Sequence, residues 1–230
     1  ASHTERAPSA EELYVNGPHP GTHAFEIGDP DLVKEKSNGL EATLRSSGPG
    51  YSVNASAYHL WFSDYVYQQQ TGEIRDDLPV FEYRQGGARY LGFEVEGSAR
   101  LGTYHGFTIN ADGLADYVRA TIDTEGPAPR IPPFRALVGI EAQSDRLTGR
   151  LEIERTARQE RVALLETPTR GFTLVNASVA FKPLRDNDAT TITLSANNIF
   201  DVNARRHASF LKDFAPLSGR DLRLSAHLSF

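Results

Sequence analysis

In the segment DLRLSAHLSF, Leu222, Leu224, Ala226, Leu228 and Phe230 fall on one parity and Arg223, Ser225, His227 and Ser229 on the other. Successive side chains of a strand point to opposite faces, so a period of two describes a ribbon with one apolar and one polar side. The alternation runs through RYLGFEVEGSARL, where Leu91, Phe93, Val95, Ala99 and Leu101 oppose Glu94, Glu96, Ser98 and Arg100. It returns in LTGRLEIE, with Leu147, Leu151 and Ile153 against Arg150, Glu152 and Glu154, and in TTITLSAN, with Ile192, Leu194 and Ala196 against Thr191, Thr193 and Ser195. No segment sustains a helical period. The pattern predicts an all-β chain with strands near 35–46, 51–67, 80–101, 106–122, 133–142, 147–159, 171–182, 189–199 and 219–230.

Several of these strands exceed the five or six residues usual in globular proteins. They reach the roughly 9 to 11 residues of a tilted bilayer crossing. The connections alternate in length: short turns near 46–50, 102–105, 143–146 and 183–188, longer loops at 68–79, 123–132, 160–170 and 200–218. Short turns on one side and long loops on the other are the layout of outer-membrane barrels. The expected fold is therefore an antiparallel transmembrane β-barrel segment, with residues 1–34 as an external loop or as the rim folded over the lumen. Its apolar parity would touch lipid, and the charged parity would hydrate the lumen and pair across the ladder. Tyr51, Trp61, Tyr65, Tyr67, Phe134, Phe172, Phe181 and Phe230 fall mostly near expected strand ends, where interfacial girdles place aromatic rings. A soluble β-sheet binding module also alternates. Its polar face would seldom carry so many charges on such long strands without a covering layer.

Composition narrows the chemistry. The formal net charge of −6 leaves no electrostatic footprint for nucleic acid. There is no cysteine, so disulfides and thiolate metal sites are excluded and any transition-metal site must use His, Asp or Glu. No stretch approaches the roughly 18 to 20 apolar residues of a transmembrane helix. The chain has no nucleophile elbow, no phosphate-binding glycine loop and no HExxH, so neither enzymatic activity nor a catalytic cofactor is expected. One segment, GPHPGTHAFEIGDP at 17–30, gathers His19, His23, Glu26 and Asp29 between prolines and glycines. Imidazole and carboxylate suit zinc. In a loop, though, spacing alone does not bring His19 and His23 to one point, and solvated polar residues are the plainer reading.

Residues beyond the alternation carry a resemblance. ERAPSAEELY followed by GDPDLVKEKSNGLEATL resembles a loop and strand of TonB-dependent outer-membrane receptors. YRQGGARYLGFEVEGSARL looks like a later strand of theirs, and TLSANNIFDVNARRHASFLKDFAPLSGRDLRLSAHLSF is similar to their C-terminus, with an asparagine-rich strand end and terminal Phe230. A narrower likeness is to the zinc-uptake branch. Its elements ELY..GPH, FE.G and H.SFL.D stand here as Glu12-Leu13-Tyr14 with Gly17-Pro18-His19, as Phe25-Glu26 with Gly28, and as His207 with Ser209-Phe210-Leu211 and Asp213.

The resemblance implies about nine strands from the C-terminal part of a 22-stranded, plugged barrel, in the outer membrane of a Gram-negative bacterium. It implies uptake of a metal driven through the TonB complex, with zinc as the transported ligand, and a siderophore receptor as the sibling alternative. The plug domain and the segment that contacts TonB are absent from this stretch, which is expected to be a fragment unable to transport alone. The implied partners are outer-membrane lipid, TonB, and a metal ion or metal chelate. The implied metal ligands are His19, in the GPH element, and Glu26, in FE.G; His23 joins them by spacing alone. His207, beside Arg205, Arg206 and Lys212, is expected to be structural because cationic neighbours disfavour a divalent ion.

Overall fold

A computed structural model describes residues 1–184 and 190–228. The expected turn at 183–188 lies largely outside the described residues, as does Phe230. All nine expected strands are present: β4 (Glu35–Gly48), β5 (Tyr51–Arg75), β6 (Leu78–Tyr104), β7 (Phe107–Ile122), β9 (Arg135–Gln143), β10 (Leu147–Thr156), β11 (Phe172–Phe181), β12 (Thr190–Asn197) and β13 (Asp221–Leu228). Four shorter strands accompany them: β1 (Ser2–Arg6), β2 (Asn16–His19), β3 (Ala24–Ile27) and β8 (Gly126–Pro127). With β1 added at the β4 edge, the long strands pair antiparallel with their neighbours in one sheet that does not close. Among the described residues no helix is long and apolar enough to cross a membrane.

The two faces separate as the alternation requires. Val95 pairs with Ala55 and Ala115, Val138 with Gly113 and Ile153, and Leu194 with Val179 and Leu224, so apolar rows run from strand to strand. Their side chains are exposed: Leu151 at 42%, Leu194 at 55%, Leu224 at 73%. A large apolar surface left open across a whole sheet is the mark of a face that meets hydrocarbon. On the opposite face the charged residues pair across the ladder. Arg150 donates to Asp112 at 2.6 and 2.8 Å and to Glu152 at 3.1 Å, and Asn54 donates to Glu96 at 3.2 Å.

Arg150 reaches Asp112 only because the residue between them on β9 is Gly139; a Cβ there would lie inside the guanidinium. Gly139→Val is expected to push Arg150 off its partner and cost about 1 kcal/mol, the scale for a half-exposed charged pair. Denaturation of refolded protein checks this. Asp112→Asn should cost that amount alone and nothing more once Gly139→Val is present.

Three sequence expectations change. The loop expected at 68–79 is instead the tip of the β5–β6 hairpin, closed by Asp76 and Asp77 at φ of +50° and +60°. Two consecutive positive φ values make the tight mirror-image turn that matches strand twist, so both strands run on, to 25 and 27 residues, well beyond the roughly 9 to 11 of a bilayer crossing. Segment 1–34, expected as a loop, carries β1, a one-turn helix α1 (Ala10–Tyr14) and the β2–β3 hairpin. Ser9 and Glu12 cap the helix reciprocally. β3 then pairs in parallel with Val80–Glu82 of β6, where β7 has already ended, and so covers an otherwise bare edge.

Finally, Tyr65 and Tyr67 do not join a lipid girdle. Phe62 pairs with Ala88 and Tyr65 with Gly86, a bulge centred on Asp64 at φ +58°. One extra residue flips every later side chain of β5 to the other face. Both tyrosines therefore point to the polar side, where Tyr67 packs with Ala88, Ala120, Ile122, Ala128 and Ile131 in a small core under the loop after β7. Phe172 is also buried, with the Arg206 guanidinium 5.4 Å from its ring centre. Tyr51, Trp61, Phe134 and Phe181 are exposed, as a girdle requires.

Candidate functional site

Two of the three elements that carried the branch likeness, ELY..GPH and FE.G, form one unit. Gly28 closes β3 against α1: a Cβ would strike the Leu13 backbone, and the Gly28 N–H donates to Val15 O at 2.7 Å. That docking sets the β2–β3 hairpin and its tip. There His19 stands between two carboxylates, Nδ1 at 3.9 Å from Glu26 Oε1 and Nε2 at 3.9 Å from Glu11 Oε1. Glu26 is 1% exposed and accepts a hydrogen bond from Thr22 Oγ1 at 2.7 Å.

Because the two carboxylates address different ring nitrogens, one cation on His19 could share only one of them. The geometry offers two donors to an ion, where zinc takes three or four. Among the described residues no three His, Asp or Glu form a group that could hold a metal ion. His23 turns elsewhere. At φ +54° it ends the hairpin turn, and its ring meets Phe214 edge-on at 4.9 Å. Glu11 was not singled out in the sequence; the Ser9–Glu12 capping box, which places Glu11 on a helix facing the hairpin, was the signal available.

A second cluster ties the loops at 160–170 and 200–218 together. Glu166 accepts from Lys212 Nζ at 2.8 Å, from the Ala163 N–H at 3.0 Å and from the Arg130 N–H at 2.9 Å. His207 Nε2 lies 3.1 Å from the same carboxylate, an ion-pair distance off the line of a hydrogen bond, while Thr169 Oγ1 sits 3.0 Å from Nδ1. Burial alone would raise the Glu166 pKa. His207, Lys212 and the Ala163 N–H outweigh it and hold the carboxyl at about 2. His207 is thus a buried latch residue, in line with the structural role expected of it. Beyond it, Asn198 at φ +48° staples the same loop, its side chain bonded to Val202 and Ser218.

Between these loops, the hairpin tip and the upper ends of β5 and β6 lies a cavity of about 260 Å³. Such an open recess over a polar sheet face can admit a small solute.

The sequence family described as TonB dependent receptor-like, beta-barrel matches residues 1–199. The chain belongs to the TonB-dependent receptor family. Members of this family are Gram-negative outer-membrane proteins that act as transport receptors rather than enzymes. Solved structures repeat the fold. A copper transporter, OprC, superposes with a TM-score of 0.82 at 19% identity over 99% of this chain and 36% of its own. The FrpB iron transporter from Neisseria meningitidis (F3-3 variant) gives 0.68 at 18% over 91% and 34%. The siderophore receptor PirA from Acinetobacter baumannii gives 0.68 at 15% over 99% and 38%. The chain thus spans about a third of the length of each. The zinc-uptake branch is not among these findings.

Proposed function

We propose that this TonB-dependent receptor chain forms the C-terminal part of an outer-membrane barrel that takes up a metal through the TonB complex, and that the metal is zinc. The observation that carries the reading is His19 Nδ1 held 3.9 Å from the buried Glu26 at the tip of the β2–β3 hairpin. That pair supplies half of a zinc site. The remaining ligands would come from parts of the receptor outside this chain, and His23 is at most an outer contact.

The test is zinc binding by the protein extracted from outer membranes in detergent, together with radiolabelled zinc uptake by cells. His19→Ala is expected to weaken zinc at least about tenfold, or about 1.4 kcal/mol. His23→Ala should change it far less. Uptake of a ferric chelate that ignores zinc and survives His19→Ala would move the chain to the siderophore reading. Recovery of the protein as a soluble monomer without detergent would remove the membrane reading altogether.

A further inference from the structure

Among the described residues, the cavity beneath the loops is lined by one cation that makes no direct ion pair, Arg130. Two carboxylates of the lining are paired with cations, Glu125 with Arg84 at 3.6 Å and Glu166 with Lys212, while Asp213 stands exposed at the rim and accepts from the Thr167 hydroxyl at 2.8 and 2.9 Å. Lys212 is spent on Glu166. Arg130 differs. Its backbone N–H, not its side chain, holds Glu166. Its guanidinium lies 3.8 Å from the ring centre of Phe210, and no carboxylate of a described residue comes within ion-pair distance of it. Burial pulls its pKa below the usual arginine range, with Glu166, Tyr65, Tyr83 and Glu26 acting weakly the other way.

A partly buried guanidinium with no direct ion-pair partner gains from an anion that completes it. Its planar fork matches a carboxylate bidentately. Phe210 stands against the guanidinium with Phe81 edge-on to its ring at 6.1 Å, and Phe214 and Leu164 add apolar lining nearer the rim. The volume is below the usual drug-sized range of roughly 300 to 1,000 Å³, enough for one ring.

We propose that this cavity binds a small organic anion, a single apolar ring bearing a carboxylate, with the acid group on Arg130 and the ring among the phenylalanines. The site goes beyond the metal reading, since neither His19 nor Glu26 is needed to fill it. The two can fail separately.

The experiment titrates detergent-extracted protein with benzoate and, as shape-matched probes, with benzyl alcohol and benzylamine. Benzoate is expected to bind at least about tenfold more tightly than benzyl alcohol, the scale of a charge-assisted bidentate contact. Benzylamine should bind more weakly than either. Arg130→Gln should erase the preference for benzoate over benzyl alcohol, Arg130→Lys should keep part of it, and Phe214→Ala should weaken both probes alike. Wild-type protein that binds benzoate no better than benzyl alcohol overturns the proposal whatever the variants do. So does a preference unchanged in Arg130→Gln. Zinc binding measured in parallel should be untouched by Arg130→Gln, and its loss in His19→Ala with benzoate binding intact would support the two sites as independent.

Discussion

Glu166→Ala is expected to release the two long loops, raising amide exchange across 163–169 and 204–213 roughly a hundredfold. The reason is what the carboxylate leaves behind. Lys212 Nζ, 2.8 Å away, has a side chain only 6% exposed, and that of His207 is 1% exposed. Removing one partner of a buried ion pair costs about 3 to 5 kcal/mol, because the surviving charge is stranded away from water. The depressed Glu166 pKa gives a similar figure: from 4.5 to about 2 is worth about 3 kcal/mol at neutral pH. At about 1.4 kcal/mol per decade this is the stated hundredfold. Thr167→Val removes a hydrogen bond to Asp213 between the same two loops, but an exposed one, and should change exchange only a fewfold. Equal effects of the two substitutions would mean that the loops are not latched at Glu166.

The same pair fixes a pH dependence. A carboxyl whose folded pKa lies below its unfolded one stabilises the docked loops fully above the unfolded value, near 4.5. That stabilisation declines as pH falls from there towards about 2. The loops should therefore stay closed at neutral pH and begin to open only in strong acid, and Glu166→Gln should flatten the acid limb of exchange against pH.

What the sequence disclosed depended on how local the determining physics was. Each long strand was legible because one residue in two is apolar and the rule needs no distant partner. The Asp76–Asp77 turn was missed because its sign is a pair of backbone angles, which Asp-Asp announces less clearly than Asn-Gly does. The burial of Tyr65 and Tyr67 was missed for a different reason. Parity counted along the chain assumes an unbroken ladder, and the bulge at Asp64 breaks it. At the candidate site, His19 and Glu26 were picked out by residue type and by likeness to the family. Glu11, Glu166 and Arg130 were not, since their roles come from contacts between segments far apart in sequence. His23 was placed beside His19 by spacing; the fold gives its ring to Phe214 instead.

Val95→Arg is expected to cost about 2 to 4 kcal/mol in a lipid bilayer and to block assembly, whereas Glu96→Gln next to it should stay within about 0.5 kcal/mol. Val95 lies midway along the apolar parity of β6, with Leu91 and Phe93 before it and Leu101 after it, and its partners across the ladder are Ala55 and Ala115. An arginine there must drag its charge to an interface or hold it in hydrocarbon, and the small alanines on either side give it no polar partner. Glu96 faces the other way and accepts one hydrogen bond from Asn54 at 3.2 Å, which an amide oxygen can also accept. Urea unfolding of protein refolded into phospholipid vesicles measures both, and Leu224→Arg on β13 should behave as Val95→Arg does. Comparable costs at positions 95 and 96 would place the two residues in the same medium. The strands could not then divide lipid from water, and the external loops, the latch and both proposed sites would lose the membrane orientation on which their reading as an outward-facing mouth depends.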